Sequence, residues 1–207
     1  MQARKARPHA GILLFLMTRD VSRLGFAAIV AALAMPAFTQ AATVGPSDIE
    51  ETGFAQSCFD QCTFTNATLP SAVGLERSPI TGKIKRWRVN VADGEGPLRL
   101  QVLKRTHNEP GTANDEFVAV RETGKSPVTG AGEQVFDADI RIRKGQFIGL
   151  GELEDGFGTH IGFGEASGAD FIDFEPPLAP GESPRTTSNL YSGSPDQYLL
   201  FNATVRR

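Results

Sequence analysis

Apolar and polar side chains alternate with a period of two through much of the chain, in short runs separated by clusters of Gly, Pro, Asn, Asp and Ser. That period belongs to a strand with one buried and one solvated face, because successive Cβ atoms point to opposite sides. The clearest run covers 135–143. Phe136, Ala138, Ile140 and Ile142 share one face there, against Val135, Asp137, Asp139, Arg141 and Arg143 on the other. A helix would scatter the four apolar groups around its circumference. Residues 84–91 set Trp87, Val89 and Val91 against Arg86, Arg88 and Asn90. Residues 98–105 set Leu98, Leu100 and Val102 against Arg99 and Gln101. The last run, 197–205, sets Leu199, Phe201, Ala203 and Val205 against Tyr198, Asn202 and Thr204. Shorter strands are predicted over 62–67, 117–121, 146–150, 160–164 and 170–174.

Turn-forming residues fall between these runs, at Asp93-Gly94-Glu95-Gly96-Pro97, Asn108-Glu109-Pro110-Gly111, Gly124-Lys125-Ser126-Pro127, Lys144-Gly145 and Pro176-Pro177. Each supplies a positive or fixed φ where the chain must reverse. Residues 176–195 read as a long surface loop. Many short strands at regular spacing predict an all-β fold, an antiparallel two-sheet sandwich of jelly-roll type, forming a single domain over 57–207.

The first forty residues differ in character. Arg4, Lys5 and Arg7 precede a short apolar run, and Arg19 and Arg23 then precede a second one up to Phe38. The second block reads as a complete signal peptide, with Met17 as the possible true start. Pro36 breaks its apolar segment, and Thr39-Gln40-Ala41 offers small residues to a peptidase. The apolar run is shorter than the roughly 20 residues that a membrane-spanning helix needs. Residues 1–41 are therefore expected to be removed after Ala41, with the membrane met only through that segment. Residues 42–56, with Gly45, Pro46 and Gly53 and few large apolar groups, are expected to be a flexible leader.

The whole chain carries 21 Lys and Arg against 24 Asp and Glu. The leader segment to Ala41 holds five of the former and one of the latter, so the remainder has 16 against 23, a formal charge of −7. Such a balance argues against nucleic acid or an anionic membrane as partner, since both call for Lys and Arg clusters. Lys83, Lys85, Arg86 and Arg88 come nearest to one. On a regular strand 83 and 85 point away from 86 and 88 unless a bulge intervenes, which reads as solvated surface.

Cys58 and Cys62 are the only cysteines. Three residues lie between them, and no further cysteine completes a zinc set, so a structural disulfide in an exported protein is expected.

The segments Ser78 to Val89, Leu98 to Leu103, Phe136 to Leu150 and Leu200 to Val205 together resemble a loosely defined family of bacterial secreted β-sandwich proteins of unknown function. The resemblance spans roughly 58–205 and implies a fold without implying a reaction. The family pattern reads Gly-Asp where this chain has Gly145-Gln146.

Reactive constellations are sparse. Ser192-Gly193-Ser194-Pro195 lacks the spacing and the helix of a nucleophile elbow. His107 reads as a turn residue and His160 as a strand-edge residue, although either could in principle serve a serine as base. Asp137 and Asp139 share a strand face, as a glycosidase pair or a calcium site would require, but that face is expected to be solvated beside Arg141 and Arg143. Glu152, Glu154 and Asp155 lie in an acidic, glycine-rich stretch without the ordered spacing of a calcium loop. Asp170 and Asp173 form a further pair. The turn 162–168 has the wrong spacing for phosphate. Trp87, Tyr191 and Tyr198 are the aromatic candidates for a glycan platform, with Trp87 better placed in the core. No cofactor and no catalytic or metal residue is assigned. The expectation is an exported non-catalytic domain of the cell envelope or extracellular space, binding glycan or protein; the alternatives are a hydrolase acting on surface polysaccharide and a structural or adhesive component.

Overall fold

The computed structural model describes residues 40–50, 55–58, 60–107, 115–153, 158–186 and 196–207, all within one compact unit. Among them the alternating runs become strands and none forms a helix. In chain order these are β1 (Ala41–Pro46), β2 (Ala55–Gln56), β3 (Cys62–Thr68), β4 (Gly74–Leu75) and β5 (Gly82–Gly94). Then come β6 (Gly96–His107), β7 (Glu116–Glu122), β8 (Ser126–Val128), β9 (Gly132–Ile142) and β10 (Phe147–Glu152). The last are β11 (Thr159–Glu165), β12 (Asp170–Phe174), β13 (Arg185–Thr186), β14 (Gln197–Leu199) and β15 (Phe201–Arg206).

They make two antiparallel sheets. In the first, β5 lies between β9 on one side and β15 followed by β11 on the other; β1 continues from β15 to β4, while β14 and β2 join β11. The second runs β12-β3-β10-β6-β7-β13, with β8 on β6. The chain passes from the first sheet to the second between β5 and β6. Gly94 makes that corner at φ +86, and a Cβ there would lie 2.1 Å from the Gly158 carbonyl oxygen.

The predicted inward faces meet between the sheets. Ile84, Trp87, Val89, Val91, Ile142, Phe201, Ala203 and Val205 from the first pack with Phe64, Leu98, Leu100, Val102 and Leu150 from the second. Asn66 clasps the layers together: its Nδ2 donates to Leu199 O at 3.0 Å and its Oδ1 accepts from Leu199 N–H at 2.8 Å. Trp87 is fully buried as expected, stacked on Phe136 with ring centroids 4.4 Å apart.

Three expectations are corrected. The flexible leader expected over 42–56 begins instead within a strand, β1, which runs from Ala41 to Pro46 and pairs with β15. Val44 is fully buried and Ile49 nearly so, and Asn202 and Asn90 donate to the carbonyls of Pro46 and Ile49. Gln101, expected in water, is buried because a second apolar layer covers the outer face of the second sheet: Phe117, Phe147, Phe174 and Leu178 pack there. Gln101 Nε2 donates to Leu178 O at 2.6 Å. The closing run 197–205 divides at Leu200, which turns into a separate small core with Ile49, Leu69 and Tyr198.

Candidate functional site

The outward face of the first sheet gathers charge because β5 does not alternate evenly. Ile84 and Trp87 are both fully buried, while Lys85 and Arg86 between them are both exposed. The ladder slips at this point against both neighbours, between Ile84 and Arg86 facing β9 and between Thr204 and Val205 of β15. The irregularity puts two consecutive side chains on one side of the sheet. Lys83, Lys85, Arg86 and Arg88 consequently share one solvated face, joined by the irregularity that a regular strand would lack.

Neighbouring strands extend the patch, since residues in register share a face. Ala41, Arg206, Lys83 and Arg141 stand in one row across β1, β15, β5 and β9. The next row holds Thr43, Thr204, Arg86 and Asp137. Lys85, Arg86, Asp137, Thr204, Arg206 and Arg207 line a hollow of about 450 Å³.

Carboxylates balance part of this charge. Asp139 accepts from Lys83 Nζ at 2.8 Å and from Lys85 Nζ at 2.5 Å. Those two bonds, first Lys83 and then Lys85, hold the Asp139 carboxyl down at about 2. Glu133 takes Arg88 at 3.2 Å, and Asp137 lies 3.8 Å from Arg86. Arg141, Arg206 and Arg207 form no side-chain ion pair or hydrogen bond among the described residues. Asp137 and Asp139 thus occupy a common solvated face, and their neighbours are cations.

The remaining candidates are placed elsewhere. Cys58 and Cys62 are joined in a disulfide with Cα atoms 6.1 Å apart. Glu152 is buried beside it, its Oε2 accepting from Cys58 N–H at 3.1 Å and its Oε1 from Thr159 N–H at 3.0 Å. These three residues are close enough to hold a metal, but the two sulfurs are bonded to each other and both carboxylate oxygens hold backbone N–H groups. The geometry fits a structural clamp. Glu154, Asp155, Tyr191 and 192–195 lie outside the described residues.

His107 ends β6 in the second sheet, and His160 sits on β11 in the first, in register with Asp93 and with its Nδ1 against the Asp93 carboxyl. Tyr198 is 9% exposed and packs in the small third core. Asp173 is buried. Asp170 is half-buried, and its carboxyl is pushed up by burial and then by Asp115, against the pull of Arg105. Arg105 is itself engaged on several sides: Asp115 at 3.2 Å, Ala67 O at 2.5 Å, and the rings of Phe117 and Phe147 at 5.1 and 4.7 Å. Gln146 Oε1 accepts from Arg143 N–H at 2.7 Å and closes the β9 to β10 turn.

No protein-family model, curated protein or solved structure matches the chain. The basic face is therefore read from its own geometry. Sequence reasoning missed Arg206 and Arg207, although the alternation of Asn202 and Thr204 in the final strand already assigned Arg206 to the outward side.

Proposed function

We propose that the chain is an exported, non-catalytic β-sandwich module whose outward first-sheet face binds an acidic glycan of the cell envelope or extracellular space. The row Arg206, Lys83 and Arg141 carries this reading. Like charges directly opposite one another weaken a sheet, and Asp139 is already shared between two lysines. A polymer bearing carboxylates or sulfates laid across the strands would offset that repulsion. The flanking Thr204 hydroxyl and the 450 Å³ hollow provide hydrogen bonding and room for a sugar ring.

The strand order supports a jelly roll. The first sheet contains β1-β15-β5-β9 and the second β3-β10-β6-β7, so the first main strand pairs with the last and the chain crosses repeatedly between layers. Export is supported by the disulfide, which persists in oxidising compartments. Cleavage after Ala41 would leave Ala42, Thr43 and Val44 paired with β15. No helix among the described residues is long and apolar enough to cross a membrane. The resemblance to secreted β-sandwich proteins agrees with this location.

Retention of the purified protein on immobilised polygalacturonate and on neutral dextran tests the reading. Retention on the acidic polymer alone is expected, with loss on Arg86→Glu or Arg206→Glu. Equal retention on both polymers, or indifference to these reversals, would contradict it.

A further inference from the structure

β9 bounds the first sheet. Among the described residues its backbone is hydrogen-bonded to β5 alone, so alternate N–H and C=O groups along its other side are open to a new strand. Charges on such an edge ordinarily discourage pairing. Here their order has a different consequence. The outward side chains run Asp137, Asp139, Arg141 and then Arg143 just after the strand, acidic in the first half and basic in the second. The inward side chains of the same stretch are Ala138, Ile140 and Ile142.

Turned end for end, this segment complements itself. We propose that two copies of the chain pair edge to edge through β9, antiparallel about a two-fold axis at Ile140. Asp139 then faces Arg141 of the second copy and Asp137 faces Arg143 of the second copy, and each contact occurs twice, as an isologous interface requires. On the inner side Ile140 meets its own counterpart, and Ala138 meets Ile142. Phe136 and Ala138, half-buried in the single copy, gain cover from the added strand.

The register is specified. Moving by one residue would set inward side chains opposite outward ones. Moving the pairing by two residues along either strand would set Asp139 against Asp139 or Arg141 against Arg141, and like charges opposed in this way are unfavourable. The result is one sheet continuous across two molecules. Arg141 and Arg143 have no ion-pair partner among the described residues of their own copy and are free to take the second copy's carboxylates. This inference shares Arg141 with the acidic-glycan reading but does not rest on it, and its test reads mass rather than glycan binding.

Sedimentation velocity at low salt over a wide concentration range tests it on the purified protein. The wild type is expected to reach twice the chain mass. Arg141→Asp and Asp139→Arg are each expected to remain monomeric. An equimolar mixture of those two variants should regain the doubled mass, because every carboxylate in the mixed pair again faces a guanidinium. The double variant Asp139→Arg/Arg141→Asp should do so alone, and its recovery shows that the single variants did not fail by misfolding. A wild type that stays monomeric throughout, a mixture that stays monomeric, or single variants that dimerise like the wild type would each overturn the proposal.

Discussion

Ile84 and Trp87 lie on the same side of one strand although they are three positions apart, and both are wholly shielded from water. In a regular strand an odd spacing sends two side chains to opposite faces. The slip in the ladder at Lys85 removes that parity and brings four cations of β5 together. A packing requirement of the core thereby shapes the surface. Ile84 must reach the same interior as Trp87, and the extra residue that permits it is forced outward.

Trp87 is the only tryptophan and is enclosed in the core against Phe136. Its emission should be blue-shifted in the native protein and move to the red on unfolding. Trp87→Ala should cost about 3–5 kcal/mol in denaturant unfolding, the usual range for emptying such a volume. A native spectrum resembling that of free tryptophan would refute the placement.

Glu152 satisfies two backbone N–H groups that are far apart in sequence, those of Cys58 and Thr159. Glu152→Ala should destabilise by at least about 2 kcal/mol, since an unsatisfied buried donor costs about 1–3 kcal/mol. Glu152→Gln keeps one acceptor and should lose less. Replacing the neighbouring disulfide by Cys58→Ser/Cys62→Ser should cost about 2 kcal/mol, as expected for a short closed loop. Denaturant melts of the three variants check both figures, and a Glu152→Ala variant as stable as the wild type would remove the clamp from the account.

How much of this was legible in the sequence depended on whether a rule was local. The face of β9 from Phe136 to Ile142 and the buried set of the last strand follow from alternation alone, and both were found. The strand character of Ala41–Pro46 was not, because Gly45 and Pro46 hide a strand that is held by pairing with β15 at the far end of the chain. Gln101 was misplaced for a similar reason: Leu178, which covers it, lies far along the sequence. The basic face needed a bulge, and nothing in Ile84-Lys85-Arg86-Trp87 specifies which residue will be extra. Two signals were present but indirect: an apolar pair at an odd spacing, and Arg206 in phase with Thr204.

The Asp139 carboxyl titrates at about 2 rather than 3.8, because Lys83 and Lys85 bind its charged form. A folded value below the unfolded one means that the contribution of this pair to stability is complete above pH of about 4. It is lost as the pH falls through about 2. Carbon-detected NMR titration should show that midpoint for Asp139, and Lys85→Ala should raise it toward the ordinary value. An unshifted midpoint would separate the lysines from this carboxylate.

The account rests on Lys85 and Arg86 facing the same way, and the salt dependence of acidic-glycan binding tests this most directly. The affinity of the purified protein for polygalacturonate should fall linearly on logarithmic axes as salt rises, because bound cations displace condensed counterions. Lys85→Ala and Arg86→Ala should each reduce the slope by about one, the change expected for a single lost ionic contact. A slope lowered by one of these variants and untouched by the other would show the two side chains on opposite faces, and would contradict the account.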